Sequence, residues 1–412
     1  MNEMHWQTLS GWLVRSEPDM IDFQTRMTAI PALGPDNDGE GEWDRTMWVK
    51  AYLEEKGLEN IEQYDAPDER AKNGVRPNLI VTLPGQDESR TIWLMAHLDV
   101  VPTGDLHLWD SDPWQVVVRD GKLFGRGTED NQQGVTSSLF TLLAFRETGI
   151  KPAHRLGLIL VADEECGSRY GLGYLLENHR DLFHEDDLII VPDAGNHEGN
   201  MIEVAEKSIL WLRLQTTGLQ CHASTPSEGV NAFRAGANLA VRLQELYERF
   251  DAQDPVFEPP LSTFEPTRKE ANVPNINTIP GEDVFYLDCR VLPNYPLSAV
   301  VEEVRRIAAG VEADFGVKVK ISTVQAAEAA PPTPVSAEVV QRLKKAIAGV
   351  RGLEAQAMGI GGGTVAALFR EAGLPAAVWS TLDDMCHQPN EYCRIDNMVN
   401  DARVFAYFSL IG

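Results

Sequence analysis

The fold is decided by a short apolar run that ends in an imidazole and a carboxylate, IWLMAHLD, residues 92–99. Three further apolar runs lead in the same way to side chains that can bind a metal. They are LGLILVA before Asp163, Glu164 and Glu165, LIIV before Asp193, and AAVW before the loop that carries His387. Short apolar runs of this kind are typical of strands buried on both faces. Ligands of open parallel sheets collect beyond the carboxyl ends of such strands. The pattern therefore predicts imidazoles and carboxylates along one rim of one sheet.

The composition favours a chain of two domains in a reducing compartment. At 412 residues the chain is long for one domain, and its hydrophobic content of 43% is ample for buried cores. The net charge of −26 disfavours nucleic acid and anionic membranes as partners. No apolar run reaches the roughly 20 residues of a membrane span. The five cysteines include no Cys-x-x-Cys pair, and residues 1–6 show no signal-peptide pattern. We therefore expect free thiols and a cytoplasmic location.

The order of the predicted elements indicates one α/β domain interrupted by another. Strands alternate with helices up to residue 206, which predicts a doubly wound mixed sheet. The insert, residues 207–327, reads as strand 208–215, helix 231–250, strands near 277–279 and at 284–291, helix 300–313 and strand 317–321. This is the β-α-β-β-α-β order of a split βαβ, or ferredoxin-like, α+β sandwich. One face of its sheet would stay open, so we expect a lid that also pairs two subunits. The α/β pattern resumes over 328–412.

The first two candidate ligand groups are His97 with Asp99, and Asp130. A histidine at a strand end is, taken alone, more often structural than functional. As a ligand, His97 would bind a metal through one ring nitrogen while Asp99 accepts the proton of the other. Asp130 follows the glycine turn GRGTE, which could equally be a surface turn. As a ligand, its two oxygens would bridge two cations about 3.5–4 Å apart.

The remaining candidates follow the other three runs. Three acids directly after a buried strand repel one another unless a cation neutralises them. We interpret Glu165 as a metal ligand and Glu164 as the general acid and base. Asp193 and His387 complete a set of two imidazoles and three carboxylates. Such a set suits zinc first, with cobalt or manganese as alternatives.

Together these strings resemble the M20 metallopeptidase and aminoacylase family. The resemblance is carried by HLDVVP at 97–102, GRG with Asp130, DEE at 163–165, PDAG at 192–195 and the late His387. Within the family the chain is most similar to proteins of the acetylornithine deacetylase and succinyl-diaminopimelate desuccinylase type. The resemblance covers nearly the whole chain, the insert included.

The resemblance implies a role for each motif residue of the α/β domain. It makes Asp130 the bridge between two zinc ions. His97 and Asp193 would complete one site, and Glu165 and His387 the other. Glu164 would be the general base, and Asp99 would orient His97.

The resemblance also implies functional residues in the insert. His222, in QCHASTP, would reach the neighbouring subunit's site and stabilise the tetrahedral oxyanion. Arg290 would bind a substrate carboxylate, although an interstrand salt bridge explains this arginine about as well. Asn277 and Gly362 are weaker candidates for the same pocket.

The chain departs from the family pattern after Asp130. The family has Asp-x-Lys-Gly there, whereas this sequence has DNQQG, which is one residue longer and lacks the lysine. The metal ligands survive this change, but substrate contacts near this turn are not carried over.

Three functions follow as hypotheses. The first is a dinuclear zinc amidohydrolase that removes the acyl group from an N-acyl amino acid, as a homodimer paired through the insert. The second is a dipeptidase or carboxypeptidase with the same mechanism. The third is a non-catalytic binding protein on this scaffold, which would have no need of Glu164.

Overall fold

The computed structural model describes residues 2–412 and contains, in that range, eleven α-helices and seventeen β-strands. The helices are α1 Glu3–Arg15, α2 Glu17–Thr28, α3 Trp43–Glu55, α4 Gln132–Thr148, α5 Leu172–Asn178, α6 Ala232–Arg242, α7 Glu245–Arg249, α8 Leu297–Phe315, α9 Glu338–Arg351, α10 Ala366–Glu371 and α11 Ile395–Leu410. The strands are β1 Ile61–Pro67, β2 Val75–Leu83, β3 Asp87–His97, β4 Val117–Arg119, β5 Lys122–Phe124, β6 His154–Val161, β7 Leu188–Asn196, β8 Met201–Glu206, β9 Ser208–Thr217, β10 Cys221–His222, β11 Thr263–Lys269, β12 Thr278–Ile279, β13 Glu282–Val291, β14 Lys318–Ala327, β15 Gln356–Ile360, β16 Ala376–Thr381 and β17 Tyr392–Arg394.

The large sheet has eight strands in the order β1-β2-β6-β3-β7-β16-β8-β15. Its central strands β6, β3, β7 and β16 are neighbours and run parallel, and they are the four apolar runs of the sequence. Strand β2 runs antiparallel to β6, and β8 runs antiparallel to β16, so the sheet is mixed, as predicted. Because parallel strands end at the same edge, the four runs deliver their polar residues to one rim.

Helices cover both faces of the large sheet, which is the doubly wound arrangement. On one face α4 packs against β3, and α11 and α1 pack against α4. On the other face Trp93 and Met95 of β3 join Leu172 of α5 and Phe369 of α10 in one buried cluster. With both faces buried, the central strands have no polar side, which explains their continuous apolar runs.

The insert forms its own sheet, β11-β13-β9-β14, with helices on one face. Alternate residues of β9, including Leu210, Leu212 and Leu214, share a buried cluster with residues of α6 and α8. Trp211, on the opposite face of the strand, is 37% exposed. The predicted α+β split βαβ fold with one open sheet face is therefore confirmed.

One strand of the insert was wrongly predicted. The second strand of the β-α-β-β-α-β order is β11, Thr263–Lys269, and not the segment near 277–279. Strand β12, Thr278–Ile279, pairs instead with β10, Cys221–His222, in a separate two-stranded ladder. The sequence pattern did not indicate β11, because this strand contains Pro266 and is largely exposed. A strand tolerates both features at the edge of a sheet. The predicted helix 231–250 is divided into α6 and α7.

The chain divides into two compact units. The first contains Met1–Val204, Pro332–Ala357 and Thr364–Gly412, and the second contains Ala205–Pro331 and Met358–Gly363. The sequence pattern had placed 358–363 in the second part of the α/β domain, 328–412. The structure attaches this segment to the insert through backbone hydrogen bonds, from Lys207 N to Ile360 O (3.0 Å) and from Gly359 N to Val256 O (2.7 Å). Across residues 2–412, every helix is too short or too polar to cross a membrane.

The packing of β6 against β3 gives a test of the large core. Gly157 lies beside Trp93, and a Cβ at this position would come within 2.1 Å of the indole ring. The ring is fixed because its Nε1 donates to the Asp187 carboxylate (2.8 Å) and its edge packs against Phe183. We expect G157A to lower the free energy of unfolding by about 1–3 kcal/mol, measured by urea denaturation.

The matched control is G11A in α1. Apart from the backbone of the helix itself, the only atom of residues 2–412 within 4 Å of a Cβ there is Nη1 of Arg15, at 3.2 Å, at the end of a long side chain. Because alanine favours the helix over glycine, G11A should raise the free energy of unfolding by about 0.5–1 kcal/mol. Equal stability of the two variants would contradict this description of the core.

Candidate metal centre

The rim begins with His97, the last residue of β3, and with Asp99 two residues later. His97 is 1% exposed, and its Nδ1 lies 3.1 Å from the backbone oxygen and 3.3 Å from Oδ1 of Asp99. The two Asp99 carboxylate oxygens accept the backbone N–H groups of Glu164 (3.1 Å) and Glu165 (3.0 Å). Asp99 thus contacts the imidazole and also binds the turn that follows β6.

Asp130 lies between the two histidines of the rim. Its Oδ1 is 3.0 Å from Nε2 of His97, and its Oδ2 is 3.2 Å from Nε2 of His387. Each oxygen of this one carboxylate therefore faces a different imidazole. This is the geometry that a carboxylate bridging two cations requires.

A second carboxylate joins each imidazole. Oδ1 of Asp193 lies 3.4 Å from Nε2 of His97, and Oε2 of Glu165 lies 3.1 Å from Nε2 of His387. The result is two groups, each with one imidazole and one carboxylate of its own, that share Asp130. Ligand atoms of His97, Glu164 and Asp193 also lie within 4.8 Å of one another.

The chemistry of the donor atoms fits metal ions. Since Nδ1 of His97 points to the oxygens of Asp99, the proton of a neutral imidazole lies on Nδ1. In that neutral ring the lone pair of Nε2 faces two carboxylates, a repulsion that a proton or a metal ion on Nε2 removes. Glu165 Oε1 is buried and has no hydrogen-bond partner among the residues that the structure describes. An unsatisfied buried carboxylate oxygen is costly unless an ion coordinates it.

The electrostatics of the rim draw positive charge to it. Hydrogen bonds to Asp130 and Glu165 raise the pKa of His387 to about 10. Burial acts to lower the pKa of His97, but its hydrogen bonds to Asp130, Asp193 and Asp99 outweigh burial and raise that pKa well above its ordinary value.

The pKa values of the rim carboxylates are shifted in two opposite directions. Burial acts to raise the pKa of Asp130, but hydrogen bonds to the two imidazoles outweigh it and hold that pKa well below its usual range. Burial, followed by the charge of Asp193, raises the pKa of Glu164 well above its ordinary value. Burial also raises the pKa of Glu165. The two imidazoles alone supply too little positive charge to balance the carboxylates of the rim.

The first acid of the DEE triplet shapes the turn after β6. Asp163 has a left-handed backbone with φ of +65°, and a single 3-10 turn over Glu164–Cys166 follows it. Its Oδ2 accepts the backbone N–H of Tyr170 (2.9 Å), and its Oδ1 lies 3.3 Å from Nη1 of the buried Arg76. This reversal of the chain turns Glu164 and Glu165 back to the rim.

The unusual DNQQG segment is explained by contacts within the first unit. Asn131 donates through Nδ2 to the backbone oxygen of Pro192 (2.6 Å) and to Oδ1 of Asp193 (2.7 Å). Sequence reasoning missed Asn131 as a residue that holds Asp193; the departure from the family pattern was the only signal.

The two glutamines of this segment are buried as well. Gln132 accepts a hydrogen bond from the hydroxyl of Thr28 (2.6 Å), and Gln133 donates to the backbone oxygen of Thr381 (2.9 Å). They therefore anchor the start of α4 to its surroundings.

The remaining predicted residues lie in the second unit and form two pairs. His222 and Asn277 are brought together by the β10–β12 ladder, in which Ala223 N donates to Asn277 O (2.9 Å). Nδ1 of His222 accepts the backbone N–H of Ser224 (3.1 Å). This contact places the proton of the neutral ring on Nε2.

The second pair is Arg290 and the glycine turn that contains Gly362. The guanidinium binds both carboxylate oxygens of Asp288, at 2.8 and 3.1 Å, and donates to the backbone oxygen of Gly361 (2.9 Å). The salt bridge is made within one strand, two residues apart, and not between strands. Gly362 has open space around it. The substrate roles of both residues stay predictions.

Comparison with known proteins gives the family. Residues 93–410 match the model of peptidase family M20/M25/M40. The chain is 40% identical over 405 residues to an uncharacterized metallohydrolase of Methanocaldococcus jannaschii, covering 94% of this chain and 98% of the relative. It is 25% identical over 377 residues to a succinyl-diaminopimelate desuccinylase of Nitratiruptor, covering 90% and 94%.

A solved structure shares the fold. Human carnosine dipeptidase 1 superposes with a TM-score of 0.73 at 20% identity, covering 98% of each chain. The chain therefore belongs to peptidase family M20/M25/M40, and it is a metal-dependent hydrolase of amide or peptide bonds.

Proposed function

We propose that the chain is a dinuclear zinc hydrolase that removes the acyl group from an N-acyl amino acid. The observation that carries the proposal is Asp130, whose two oxygens face the imidazoles of His97 and His387 at 3.0 and 3.2 Å. The relative named succinyl-diaminopimelate desuccinylase supports this class of substrate. Such a substrate consists of a carboxylic acyl group joined to an amino acid through one amide bond.

The proposed ligands divide between two ions. His97 and Asp193 would hold one ion and Glu165 and His387 the other, with Asp130 common to both. Imidazole and carboxylate donors in this ratio favour zinc, with cobalt or manganese as alternatives. When bound, the ions polarise the scissile carbonyl and lower the pKa of the attacking water.

Glu164 is the proposed general base. Its backbone is fixed, because its N–H donates to the Asp99 carboxylate (3.1 Å), and its own carboxylate lies beside His97 and Asp193. Glu164 takes a proton from the attacking water as the oxygen bonds to the carbonyl carbon. It then gives that proton to the amine as the carbon–nitrogen bond breaks. The products are a carboxylic acid and an amine. The proton of the acid passes to the amine, which leaves a carboxylate and the free amino acid as an ammonium, and Glu164 is regenerated.

The insert is proposed to supply the substrate contacts. The proton on Nε2 of His222 suits this residue to donate to the developing oxyanion of a neighbouring subunit. Arg290, with Asn277 and Gly362 near the same pocket, would bind the substrate carboxylate. To do so, Arg290 would give up part of its salt bridge with Asp288 and bind the substrate carboxylate instead.

Homodimerisation through the insert and a cytoplasmic location complete the proposal. The open face of the insert's sheet, with Trp211 37% exposed, supports pairing with a second copy. The odd number of cysteines, five in all, supports a reducing compartment.

A peptidase is the second candidate. The matching family is described as a peptidase family, and a peptide bond presents the same amide to the same rim. Metal ligands and general base would be unchanged. Only the acyl group on the carbonyl side of the scissile bond would differ, because a peptide carries an aminoacyl or peptidyl group there.

The role of Glu164 is tested by comparison with its neighbour Glu165. E164A should keep the zinc content of the wild type and lose turnover by about 10²–10⁴-fold, because only proton transfer is removed. E165A should lose turnover together with zinc, since it removes a ligand. Zinc per chain is measured by elemental analysis and turnover by amine release. An active E164A variant would show that the base is another residue.

The substrate class is tested with a panel of N-acetyl and N-succinyl amino acids beside a panel of dipeptides, using zinc-loaded protein. We expect turnover of N-acyl amino acids. Cleavage of dipeptides alone would establish the peptidase candidate instead. No turnover of either panel by protein with bound zinc would contradict both.

The role of His222 across the dimer is tested by complementation. E164A and H222A should each be nearly inactive, but a mixed dimer has one site with both residues intact. Co-expression should therefore restore about a quarter of wild-type turnover, since half of randomly paired dimers are mixed and one of their two sites is complete. Activity no higher than that of the separate variants would show that His222 does not act across the dimer.

A further inference from the structure

A buried glutamate outside the ligand set holds the loop that carries Asp130. Glu391 has no exposed surface, and four N–H donors surround its carboxylate. They are Nη1 of Arg126 (2.6 Å) and the backbone N–H of Gly127 (2.8 Å) on Oε2, and the backbone N–H of Glu129 (3.0 Å) and of Asp130 (3.1 Å) on Oε1. The carboxylate thus fixes the backbone of Asp130 itself.

A second buried glutamate makes the reverse connection. Glu129 is 3% exposed, and its carboxylate accepts the backbone N–H of Asp383 (2.7 Å) and that of Met385. These two residues begin the segment that leads to His387. Each glutamate is therefore close in sequence to one ligand and holds the segment of the other. Glu129 precedes Asp130, and Glu391 follows His387 by four residues.

We propose that Glu129 and Glu391 form a reciprocal clasp that sets the separation of Asp130 and His387, and that both are positioning residues. The inference rests on the proposed function, in which these two residues share a metal ion. Neither carboxylate belongs to the proposed ligand set, so the clasp joins the two segments from outside that set.

The chemistry of the contacts requires carboxylates. An ionised carboxylate only accepts hydrogen bonds and has about four lone-pair sites, which equals the number of donors on Glu391. A glutamine in its place would turn an NH₂ group toward two N–H donors. An apolar side chain at either position would leave these buried N–H donors without an acceptor, so the contacts that hold the two segments require the carboxylates.

The negative charge of Glu391 is balanced by Arg126, which contacts one of the two carboxylate oxygens. The guanidinium of Arg126 contacts Oε2 at 2.6 Å and lies 5.1 Å from the ring centroid of Trp109. Asn390, the preceding residue, also donates to the backbone oxygen of Leu108 (3.1 Å) and accepts from the backbone N–H of Asp110 (2.8 Å). The end of the His387 segment is thus anchored to two neighbouring loops.

The experiment compares E391Q and E129Q with the control D187N. Asp187 is also a buried carboxylate that accepts three N–H donors, from Thr91 (2.7 Å), Trp93 (2.8 Å) and His184 (2.9 Å). It lies directly before β7, at the end of the strand opposite Asp193. Thermal melts of all three variants monitor folding.

The first measurement is zinc affinity by competition with a chromogenic chelator. E391Q and E129Q should each bind zinc about 10- to 100-fold more weakly than the wild type, as expected for residues that orient ligands. D187N should keep wild-type affinity, even where its melting temperature falls. Wild-type zinc affinity in both glutamine variants would overturn the clasp.

The second measurement is amide hydrogen exchange of the metal-free proteins. E391Q should accelerate exchange at Gly127, Glu129 and Asp130, and E129Q should accelerate it at Asp383 and Met385. Unchanged exchange at these amides would also overturn the clasp. Because this readout needs no metal, it remains informative if the wild type binds no zinc, a result that would defeat the proposed function instead.

A third variant covers the case in which E391Q does not fold. E391D keeps the charge and shortens the side chain by one methylene, so an intermediate loss of zinc affinity is expected. Wild-type affinity in folded E391D, together with wild-type affinity in E129Q, would overturn the proposal.

Discussion

The structure depends on holding several carboxylates against one another at the ends of parallel strands. Asp130, Asp193, Glu164 and Glu165 converge on two imidazoles, and like charges at such separations repel strongly in a buried site. The large sheet makes the convergence possible, because four adjacent strands end at the same rim. Metal ions would supply the positive charge that the chain itself lacks there.

Supporting groups give this rim its geometry. Asp99 binds the turn of Glu164 and Glu165, and Asn131 binds Asp193. Glu129 and Glu391, the glutamates of the proposed clasp, bind the backbone of the segments that carry the candidate ligands Asp130 and His387. Most of these supporting contacts are hydrogen bonds from backbone N–H groups to buried carboxylates. Once formed, they leave the groups that they join little freedom to move. A site assembled from distant segments is thereby fixed before any ligand arrives.

The sequence allowed the rim to be predicted because its signal is local. Each apolar run and the acid or histidine after it lie within a few residues, so strand type and strand end could be recognised together. Glu391 and Glu129 could not be found in this way, since their partners are more than 250 residues away. Strand β11 was missed for a different reason. Its exposure at a sheet edge and Pro266 remove the alternation that marks a strand. The roles of His222 and Arg290 rest on resemblance, because nothing local distinguishes them from a turn histidine and an ion-paired arginine.

The most direct measurement is anomalous diffraction at the zinc edge from crystals of the zinc-loaded protein. Two peaks about 3.5–4 Å apart are predicted, one beside His97 and Asp193 and the other beside His387 and Glu165, with Asp130 contacting both. A single peak, or zinc bound only away from Asp130, would contradict the dinuclear centre.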